Sequence, residues 1–434
     1  MTSVSLKTIG CKLNQSESDS LAAEFRQKGF IVKPYGEEVT ITIINTCTVT
    51  HAADRDCRNI IRQAKRISPK AKIVVIGCYA EVSKNEIAKI EGVDLILGNK
   101  EKFNLFEKLD SLSVVRNPLP VRQQTNSQRD TVNGKRKTIY ESRTRAFLKI
   151  QDGCNFFCAY CIVPFARGKP TSLPVESILE EAHKLVDRGF QEIVVTGVNI
   201  GLYQQTSGEK TVYLEDLLAQ IEKINGIKRI RTGSVEPNTI RDDLFLLMRD
   251  SAIICPHMHI PLQSGNDKTL KDMKRRYVCA EYQEVINRYK TFLPEAALGT
   301  DIIVGFPGET DDDFHLTKNL VQSLPYSYLH VFSYSDRSGT VASQAKNKVS
   351  PPIAKSRSLA LRTIGDQKKE AYNNMFLGKT LPVHFDTRKK DLMLGYTPNY
   401  IRVVVESDEI KRGEFRKVML NKYDHTLGVC IGSF

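Results

Sequence analysis

Residues 146–161, AFLKIQDGCNFFCAYC, run from an apolar segment directly into three cysteines, Cys154, Cys158 and Cys161. Their spacing, C-x3-C-x2-C, places all three thiols on one short loop. Three thiolates suit a cubane iron–sulfur cluster that keeps one iron open, because such clusters ordinarily take four cysteines. The alternatives are chance clustering or a zinc site, which would need a fourth ligand and more usually has paired C-x2-C units. The stretch therefore predicts a catalytic cluster.

Five further apolar segments follow this first one, at residues 192–197, 229–234, 257–262, 300–305 and 328–334. Amphipathic stretches such as VESILEEAHKLVDRG, residues 175–189, separate them. Six strands alternating with helices predict a partial (β/α)6 barrel, with its chemistry at the carboxyl ends of the strands. The cysteine loop follows the first strand and so belongs to that face.

The first hundred residues read as a βαβαβ parallel sheet, with strands at 4–10, 39–46 and 71–77. Cys11, Cys47 and Cys78 each come at the end of one of these strands, about one βα unit apart. Because the carboxyl ends of parallel strands share one edge, we expect these thiols to converge there. They predict a second three-cysteine cluster, and the alternative is three buried structural cysteines. For the remaining cysteines, Cys57, Cys255, Cys279 and Cys430, a structural role is favoured.

After residue 372 the pattern changes to short alternating segments at 380–385, 400–406 and 415–421, which predict a small antiparallel β-barrel. The expected division is an N-terminal domain over 1–115, a basic linker over 116–142, the barrel over 143–371 and the small β domain over 372–434. The fold class is therefore α/β with a C-terminal β module.

The composition, 41% hydrophobic and 26% charged over 434 residues, is that of a globular protein of several domains. The longest apolar runs are far shorter than the ~20 residues that cross a bilayer, and the N-terminus does not resemble a signal peptide. We expect a cytoplasmic monomer that is not bound to a membrane. The net charge of +13 favours an anionic partner such as nucleic acid, although a solvated basic surface explains the charge equally well.

Ten motifs together resemble the radical S-adenosylmethionine superfamily and, within it, the methylthiotransferases. They are GCKLNQSES, NTCTVT, VIGCYAE, GCNFFCAYCIVPFARG, TGVNIG, GSVEP, HIPLQSGND, MKRRY, TDIIVGFPGET and HVFSYSDRSGT. The resemblance covers the whole chain and implies two 4Fe–4S clusters. The cluster on Cys154, Cys158 and Cys161 would bind S-adenosylmethionine through its open iron and cleave it to a radical. The N-terminal cluster would be an auxiliary one that supplies or carries sulfur.

The same resemblance suggests further site residues near the strand ends. Expected cofactor-binding residues are Tyr160, Gly197, Asn199, Ser234, Glu236, Gln263, Asp301 and Gly305. Tyr334, Ser335 and Arg337 follow the sixth strand, and Arg337 could clamp an anionic part of the substrate. Loop capping, core packing or a structural salt bridge are the alternative roles for these residues.

The C-terminal module resembles the TRAM domain, a small RNA-binding barrel. Lys411, Arg412, Arg416, Lys417 and Lys422 would form its phosphate-binding track. The module as a whole has only ten lysines and arginines against seven acidic residues, so that any basic patch must be local.

The stretches at 145–154 and 395–403 resemble the branch that acts on N6-threonylcarbamoyladenosine next to the anticodon of tRNA. The resemblance implies a transferase with three partners: the tRNA anticodon stem-loop, a flavodoxin- or ferredoxin-like electron donor, and a sulfur donor. The alternatives are the isopentenyladenosine branch, a methylthiotransferase for a ribosomal-protein aspartate, and a non-catalytic iron–sulfur protein that binds RNA.

Overall fold

The computed structural model describes residues 2–111 and 143–434, and the predicted basic linker, residues 116–142, lies outside the described residues. The chain forms two compact units. The first comprises Met1–Arg143 and Ile162–Gly168, and the second comprises Thr144–Cys161 and Lys169–Phe434. The expected domain boundaries stay a prediction.

The first unit is built on a five-stranded parallel sheet in the order β2-β1-β3-β4-β5. Its strands are β1 (Ser3–Thr8), β2 (Ile31–Lys33), β3 (Ile41–Thr46), β4 (Lys72–Gly77) and β5 (Leu95–Leu97). Its helices are α1 (Lys12–Gln27), α2 (His51–Ile67), α3 (Cys78–Val82), α4 (Lys84–Ala88) and α5 (Leu105–Ser111). A sixth helix, α6 (Val163–Arg167), comes from later in the chain and belongs to the same unit. The predicted parallel sheet is therefore confirmed, with two short outer strands added.

Both faces of this sheet are covered, which explains its continuous apolar strands. Ile41 and Ile43 pack with Phe25 of α1 on one face. Ile44 packs with Ile61 of α2 on the other face. Because successive side chains of a strand point to opposite faces, a strand covered on both sides reads as an unbroken apolar run.

The second unit contains six parallel strands in sequential order, arranged as β6-β9-β12 and β13-β14-β15. They are β6 (Arg145–Lys149), β9 (Glu192–Thr196), β12 (Arg229–Thr232), β13 (His257–His259), β14 (Ala297–Val304) and β15 (Tyr328–Ser333). A parallel bridge between Ser234 and His259 links the two sets. Two short pairs lie beside them, formed by β7 (Gln151–Asp152) with β8 (Thr171–Ser172) and by β10 (Gln204–Ser207) with β11 (Lys210–Tyr213).

Helices follow the strands and cover one face of this array. They are α7 (Val175–Asp187), α8 (Leu214–Ile221), α9 (Asp242–Asp250), α10 (Asp267–Asp272), α11 (Cys279–Phe292), α12 (Asp311–Ser323) and α13 (Pro351–Asn374). Alternate strand residues such as Leu148, Ile193 and Ile302 belong to the helix-covered core. The residues between them, which include Glu192 and Asp301, therefore line the opposite, inner face.

The C-terminal strands close into a five-stranded barrel in the order β16-β17-β18-β20-β19. They are β16 (Thr380–Lys389), β17 (Leu392–Tyr396), β18 (Arg402–Glu406), β19 (Phe415–Asp424) and β20 (Val429–Ser433). The barrel is not wholly antiparallel, since β18 and β20 pair in parallel. A closed ring with an odd number of strands cannot alternate direction throughout, so one parallel pair is unavoidable.

A buried cluster of charges joins this barrel to the inner face of the strand array. The Glu192 carboxylate accepts a hydrogen bond from Arg231 Nε at 2.7 Å, and its other oxygen lies 2.6 Å from His384 Nδ1. Arg231 also donates to the Thr397 and Pro398 carbonyls, at 2.7 and 3.0 Å. Burial alone would raise the pKa of Glu192, but Arg231 and His384 together hold it well below its usual range. The carboxylate is therefore charged and compensated.

No helix among residues 2–111 and 143–434 has the length and apolar character that a membrane span requires.

Candidate functional site

Each cysteine of the N-terminal trio stands where a sheet strand ends. Cys11 is the N-cap residue of α1 after β1, Cys47 directly follows β3, and Cys78 is the first residue of α3 after β4. The three strands are hydrogen-bonded neighbours in one parallel sheet. The sheet therefore brings the three residues to one edge, as their spacing predicts.

Two glycines allow the chain to approach this edge closely. Gly10 has a φ of +107°, and a Cβ built on it would lie 2.5 Å from Cys47 Cβ and 2.9 Å from its Sγ. Gly77 has a φ of +98° and would place a Cβ 2.5 Å from the Asn45 side chain. Only glycine fits either position without displacing its neighbours.

The thiols of this trio affect one another electrostatically. Burial raises the pKa of Cys47 to about 11, and the nearby Cys78 and Cys11 raise it as well. Desolvation by surrounding atoms raises the pKa of Cys11 although part of the residue is exposed, and the Arg167 guanidinium opposes that rise. Iron would supply the positive charge that deprotonates such thiols, since metal ligands bind as thiolates.

Sequence reasoning missed a buried polar network beside the trio. Asn99 Nδ2 lies 3.5 Å from Cys78 Sγ, and Lys102 Nζ donates to Asn99 Oδ1 at 2.9 Å. Glu17 pairs with Lys102 at 2.7 Å and with Arg167 at 3.0 Å. Arg167 also donates to the side-chain oxygen of Asn14, Oδ1, which lies 3.7 Å from Cys11 Sγ. Buried cations next to the thiols suit an anionic, thiolate-ligated cluster.

Asn14, Glu17 and Arg167 lie within the quoted motifs GCKLNQSES and GCNFFCAYCIVPFARG, so their sequence neighbourhood was the available signal. Nothing in the spacing pairs Arg167 with Glu17, because 150 residues separate them.

Cys57 is buried in α2, and its Sγ donates to the Cys47 carbonyl at 3.3 Å. Cys255 is buried just before β13, and Cys279 is the first residue of α11. Cys430 lies in β20, with its Sγ 3.5 Å from Asn373 Oδ1. These placements agree with structural roles for the four remaining cysteines.

The second cysteine loop, residues 154–161, is held by contacts with the segment 273–276. Ala159 N donates to the Met273 carbonyl at 2.9 Å, and Arg276 donates to the Asn155 carbonyl at 2.6 Å. Phe157 has a φ of +50°, a conformation that a bulky residue adopts at a cost. The loop is therefore fixed from outside, with its bend at Phe157 maintained by these neighbours.

Sequence reasoning also missed Arg275, which lies beside the second cysteine loop. Its guanidinium is almost fully buried, lies 3.2 Å from Cys158 Sγ and 3.4 Å from Tyr160 Oη, and forms an ion pair with Glu236. Burial raises the pKa of Cys158, and Arg275 counteracts that rise. Burial likewise raises the pKa of Glu236, again against Arg275. One cation thus contacts Cys158, a predicted cluster ligand, and two expected cofactor-binding residues.

The turn after β9 packs on the strand that leads into the cysteine loop. Val198 N and Asn199 N both donate to Gln151 Oε1 at 3.0 Å, and a Cβ on Gly197 would lie 2.9 Å from the Gln151 carbonyl oxygen. Asn199 is buried, and among the described residues its Nδ2 has no hydrogen-bond partner. A buried donor without a partner costs free energy, which a bound ligand with an acceptor would recover. This orphaned donor fits the expected cofactor.

The other expected cofactor-binding residues differ in exposure and in hydrogen-bond partners. Ser234 is exposed, and Gln263 has a φ of +66° with its backbone hydrogen-bonded to Asp301 and Ile303. Burial alone would raise the pKa of Asp301, but hydrogen bonds with two histidines hold it well below its usual range. The Gly305 amide donates to Glu309 at 2.6 Å, so this contact is structural.

The segment after β15 places Tyr334 and Ser335 in half-buried positions and Arg337 in a buried one. Tyr334 Oη donates to Asp336 at 3.2 Å, and the Arg337 carbonyl accepts a hydrogen bond from Thr340 N at 3.0 Å. The expected role of Arg337 as an anion clamp stays a prediction.

The cationic side chains of the C-terminal barrel point outward, since Lys411, Arg412, Arg416, Lys417 and Lys422 are all exposed. Arg412 donates to the Asp386 carbonyl at 2.8 Å, and Arg416 pairs with Glu414 at 3.1 Å. The residues of the expected phosphate-binding track are thus accessible, although Arg412 and Arg416 also contact neighbouring residues of the barrel.

Comparisons with known proteins identify the families to which the two parts of the chain are similar. The profile of the Radical SAM superfamily matches residues 148–321, and that of "Uncharacterized protein family UPF0004" matches residues 3–98. The chain also resembles the radical S-adenosylmethionine methyltransferase TsrM from Kitasatospora setae, solved with cobalamin and a 4Fe–4S cluster bound. The TM-score is 0.58 at 15% identity over 79% of this chain and 77% of that one, a likeness of fold.

Full-length relatives define the family more narrowly. The chain is 37% identical to a protein of Aquifex aeolicus, over 96% of this chain and 98% of the relative. It is 35% identical to one of Bacillus subtilis, over 97% and 94%. The chain therefore belongs to the radical S-adenosylmethionine methylthiotransferase family.

Both of those relatives are named threonylcarbamoyladenosine tRNA methylthiotransferase MtaB. A relative from Bartonella quintana, named tRNA-2-methylthio-N(6)-dimethylallyladenosine synthase, is 32% identical over 93% of this chain and 91% of its own length.

Proposed function

We propose that this protein replaces the hydrogen on C2 of N6-threonylcarbamoyladenosine in tRNA with a methylthio group. The observation that carries the proposal is the near-complete alignment, at 35–37% identity, with proteins named for this substrate. The presence of a strand-end cysteine trio in each unit supports the same reaction, because sulfur insertion needs a radical source and a sulfur source.

The trio Cys154, Cys158 and Cys161 would hold the 4Fe–4S cluster that binds S-adenosylmethionine. The external anchoring of its loop and the Arg275 contact to Cys158 support this assignment. The orphaned Asn199 amide would bond an acceptor of the cofactor, and Glu236 would be oriented for it by Arg275. Tyr160, Gly197, Ser234, Gln263, Asp301 and Gly305 complete the proposed surroundings.

The trio Cys11, Cys47 and Cys78 would hold the auxiliary 4Fe–4S cluster. Its support is the shared sheet edge, the close approach that Gly10 permits, and the buried Arg167 and Lys102 nearby. When bound, the two clusters and S-adenosylmethionine supply the radical, sulfur and methyl chemistry. The task of the protein residues is to orient these groups and to exclude water from them.

The substrate would be recognised through the anticodon stem-loop, with Arg337 binding an anionic group of the modified base. We assign the exposed Lys411, Arg412, Arg416 and Lys417 to the RNA backbone, in a TRAM-like domain over 372–434 that follows a partial (β/α)6 barrel. A single-stranded loop lets its base leave the stack at low cost. We further propose that the enzyme is a monomer served by a flavodoxin- or ferredoxin-like electron donor and a sulfur donor.

The main alternative is the isopentenyladenosine branch, which the relatives named for dimethylallyladenosine favour at 32% identity. Anaerobically reconstituted enzyme with S-adenosylmethionine and reductant should be offered two stem-loops, one carrying threonylcarbamoyladenosine and one carrying isopentenyladenosine. Mass spectrometry of the digested nucleosides should show the methylthio product from the first only.

Product from the isopentenyl stem-loop alone would move the enzyme to the other branch. Modification of a ribosomal-protein aspartate peptide with no RNA product would overturn the tRNA assignment. Formation of neither product nor 5′-deoxyadenosine would favour a non-catalytic RNA-binding protein.

A further inference from the structure

Three side chains with metal-ligating atoms, none of them a cysteine, meet on the inner face of the strand array. His259 Nε2 lies 2.9 Å from Asp301 Oδ1, and His330 Nδ1 lies 3.2 Å from the same oxygen. All three ligand atoms lie within 4.8 Å of one another. Two imidazoles and one carboxylate are a donor set that first-row transition-metal ions favour.

Rigid elements hold these three residues in place. His259, Asp301 and His330 come from the adjacent parallel strands β13, β14 and β15, and Asp301 is directly opposite His330 in the register. Their strand neighbours Met258 and Ile302 belong to the core on the other face. The ligand positions are therefore set by the sheet and not by a mobile loop, which is the condition for a preorganised site.

A second layer of contacts orients His259. Tyr328 Oη lies 3.1 Å from His259 Nδ1 and 2.8 Å from His257 Nε2. A consistent chain of donors runs from His259 Nδ1–H to Tyr328 Oη and from its hydroxyl hydrogen to His257 Nε2. With an ion bound, that arrangement would present the lone pair of His259 Nε2 to the metal, as a ligand requires. Without an ion, Nε2 carries the hydrogen that Asp301 accepts, and Nδ1 accepts from Tyr328.

Gly299 makes this arrangement possible, because a Cβ on it would lie 2.1 Å from the ring of Tyr328. The ring therefore occupies the space above the glycine, between the two histidines that it contacts. A glycine in the middle of a strand weakens the strand, so its presence here favours a specific use of the space.

The polar groups suit a cation better than an anion. His259 Nε2 and His330 Nδ1 both face the same Asp301 oxygen, so an ion that replaced the hydrogens between them would have all three groups as ligands. The Asp301 carboxylate would also repel an anion. The side chain of His330 is 55% exposed, and an ion at the centre of the three ligands would be accessible from that side.

We propose that His259, Asp301 and His330 bind one divalent transition-metal ion, of the zinc or iron(II) class, at a site separate from both cysteine trios. Its accessible side would take water or a carboxylate oxygen as a further ligand. The proposal depends only on the geometry of β13, β14 and β15 and goes beyond the methylthiotransferase function. It makes Asp301 a metal ligand in place of the cofactor contact proposed for it above.

The test loads the anaerobically reconstituted, full-length protein with Zn²⁺, removes unbound ion by gel filtration, and counts zinc, iron and sulfide. Wild type should retain about one zinc ion per chain at this site. Asp301→Asn and His330→Ala should lose it while iron and sulfide stay unchanged. His183→Ala, at an exposed position on α7, is the matched control and should retain the ion.

Zinc-edge X-ray absorption on the wild type needs no variant. We expect nitrogen and oxygen neighbours at about 2.0–2.2 Å and no sulfur neighbour at about 2.3 Å. Sulfur coordination, zinc retention in Asp301→Asn and His330→Ala equal to that of wild type, or no retained zinc at all would each overturn the proposal. The three side chains would then be a hydrogen-bonded cluster only.

Discussion

Gly10 sits against Cys47 so closely that the cysteine trio of the first unit depends on the absence of a side chain there. The position combines a left-handed backbone with a direct contact to a thiol-bearing residue. These two constraints can be separated experimentally, because Gly29 shares the first without the second.

Gly10→Ala should reduce the iron content of the reconstituted protein by about half, which is the loss of one of two four-iron clusters. The added methyl group would displace Cys47 from the shared edge. Gly29→Ala, with a φ of +81° and nothing within 4 Å of its Cβ, should bear the same backbone strain and keep its iron. Equal iron loss in both variants would show that backbone strain, and not the contact to Cys47, is responsible.

At the same scale, the sequence predicts the cysteines but not their partners. Cys154, Cys158 and Cys161 are close in the chain, and strand periodicity alone aligns Cys11, Cys47 and Cys78. Arg275 reaches Cys158 across 117 residues, and no local pattern encodes such a contact. The charges that stabilise a site come from tertiary packing, which a single sequence does not reveal.

At the scale of elements, buried ion pairs stabilise the contact between the strand array and the C-terminal barrel. Glu192 of β9 is fully buried among Arg231, Arg229 and His384. Removing one partner from a buried group of charges leaves the others uncompensated, which costs about 3–5 kcal/mol. An exposed pair at the same contact, Lys379 with Glu295, contributes about 1 kcal/mol at most.

Glu192→Gln should therefore lower the free energy of unfolding by about 3 kcal/mol in urea and reduce hydrogen-exchange protection in β16. The folded-state pKa of Glu192 lies below the unfolded value, so its contribution is complete above about pH 5. The difference between wild type and variant should shrink as the pH falls below about 4. Glu295→Gln is the control, and equal effects of the two substitutions would contradict the assignment.

The strands also show which of them periodicity can predict and which it cannot. The long apolar runs at β3, β4 and β14 are strands as expected, because burial forces an apolar sequence on them. The three-residue strands β2 and β5 are short and only partly buried, so they lack the apolar pattern that predicts β13, which is equally short but fully buried. In the C-terminal barrel, β17 and β20 were missed because each contains a glycine, which is rare inside strands.

At the scale of the whole molecule, the structure shows only in part which surface carries the excess positive charge of +13. Lys411 and Lys417 of the C-terminal barrel are exposed, and the proposal assigns them to the phosphates of the RNA. Much charge elsewhere is paired or buried, as at Arg231 and Arg275. Net charge therefore predicts the class of partner but not the surface that binds it.

Substituting Lys411→Ala and Lys417→Ala together should weaken binding of the anticodon stem-loop. It should also lower the slope of log K against log salt by about 0.7–0.9 for each lost phosphate contact. Lys28→Ala with Lys184→Ala removes two exposed lysines elsewhere and should leave the slope unchanged. Filter binding over a salt series measures both, and an equal fall in the two double variants would indicate diffuse charge.

We propose different tasks for the two cysteine trios, and one assay on the threonylcarbamoyladenosine stem-loop tests this proposal directly. Reactions with S-adenosylmethionine and reductant are analysed for 5′-deoxyadenosine and for the methylthio nucleoside. Cys158→Ser should abolish both products, and Cys11→Ser should abolish only the methylthio nucleoside. Cys57→Ser, which preserves the hydrogen bond to the Cys47 carbonyl, should retain both. Methylthio product from Cys11→Ser, or 5′-deoxyadenosine from Cys158→Ser, would contradict the account.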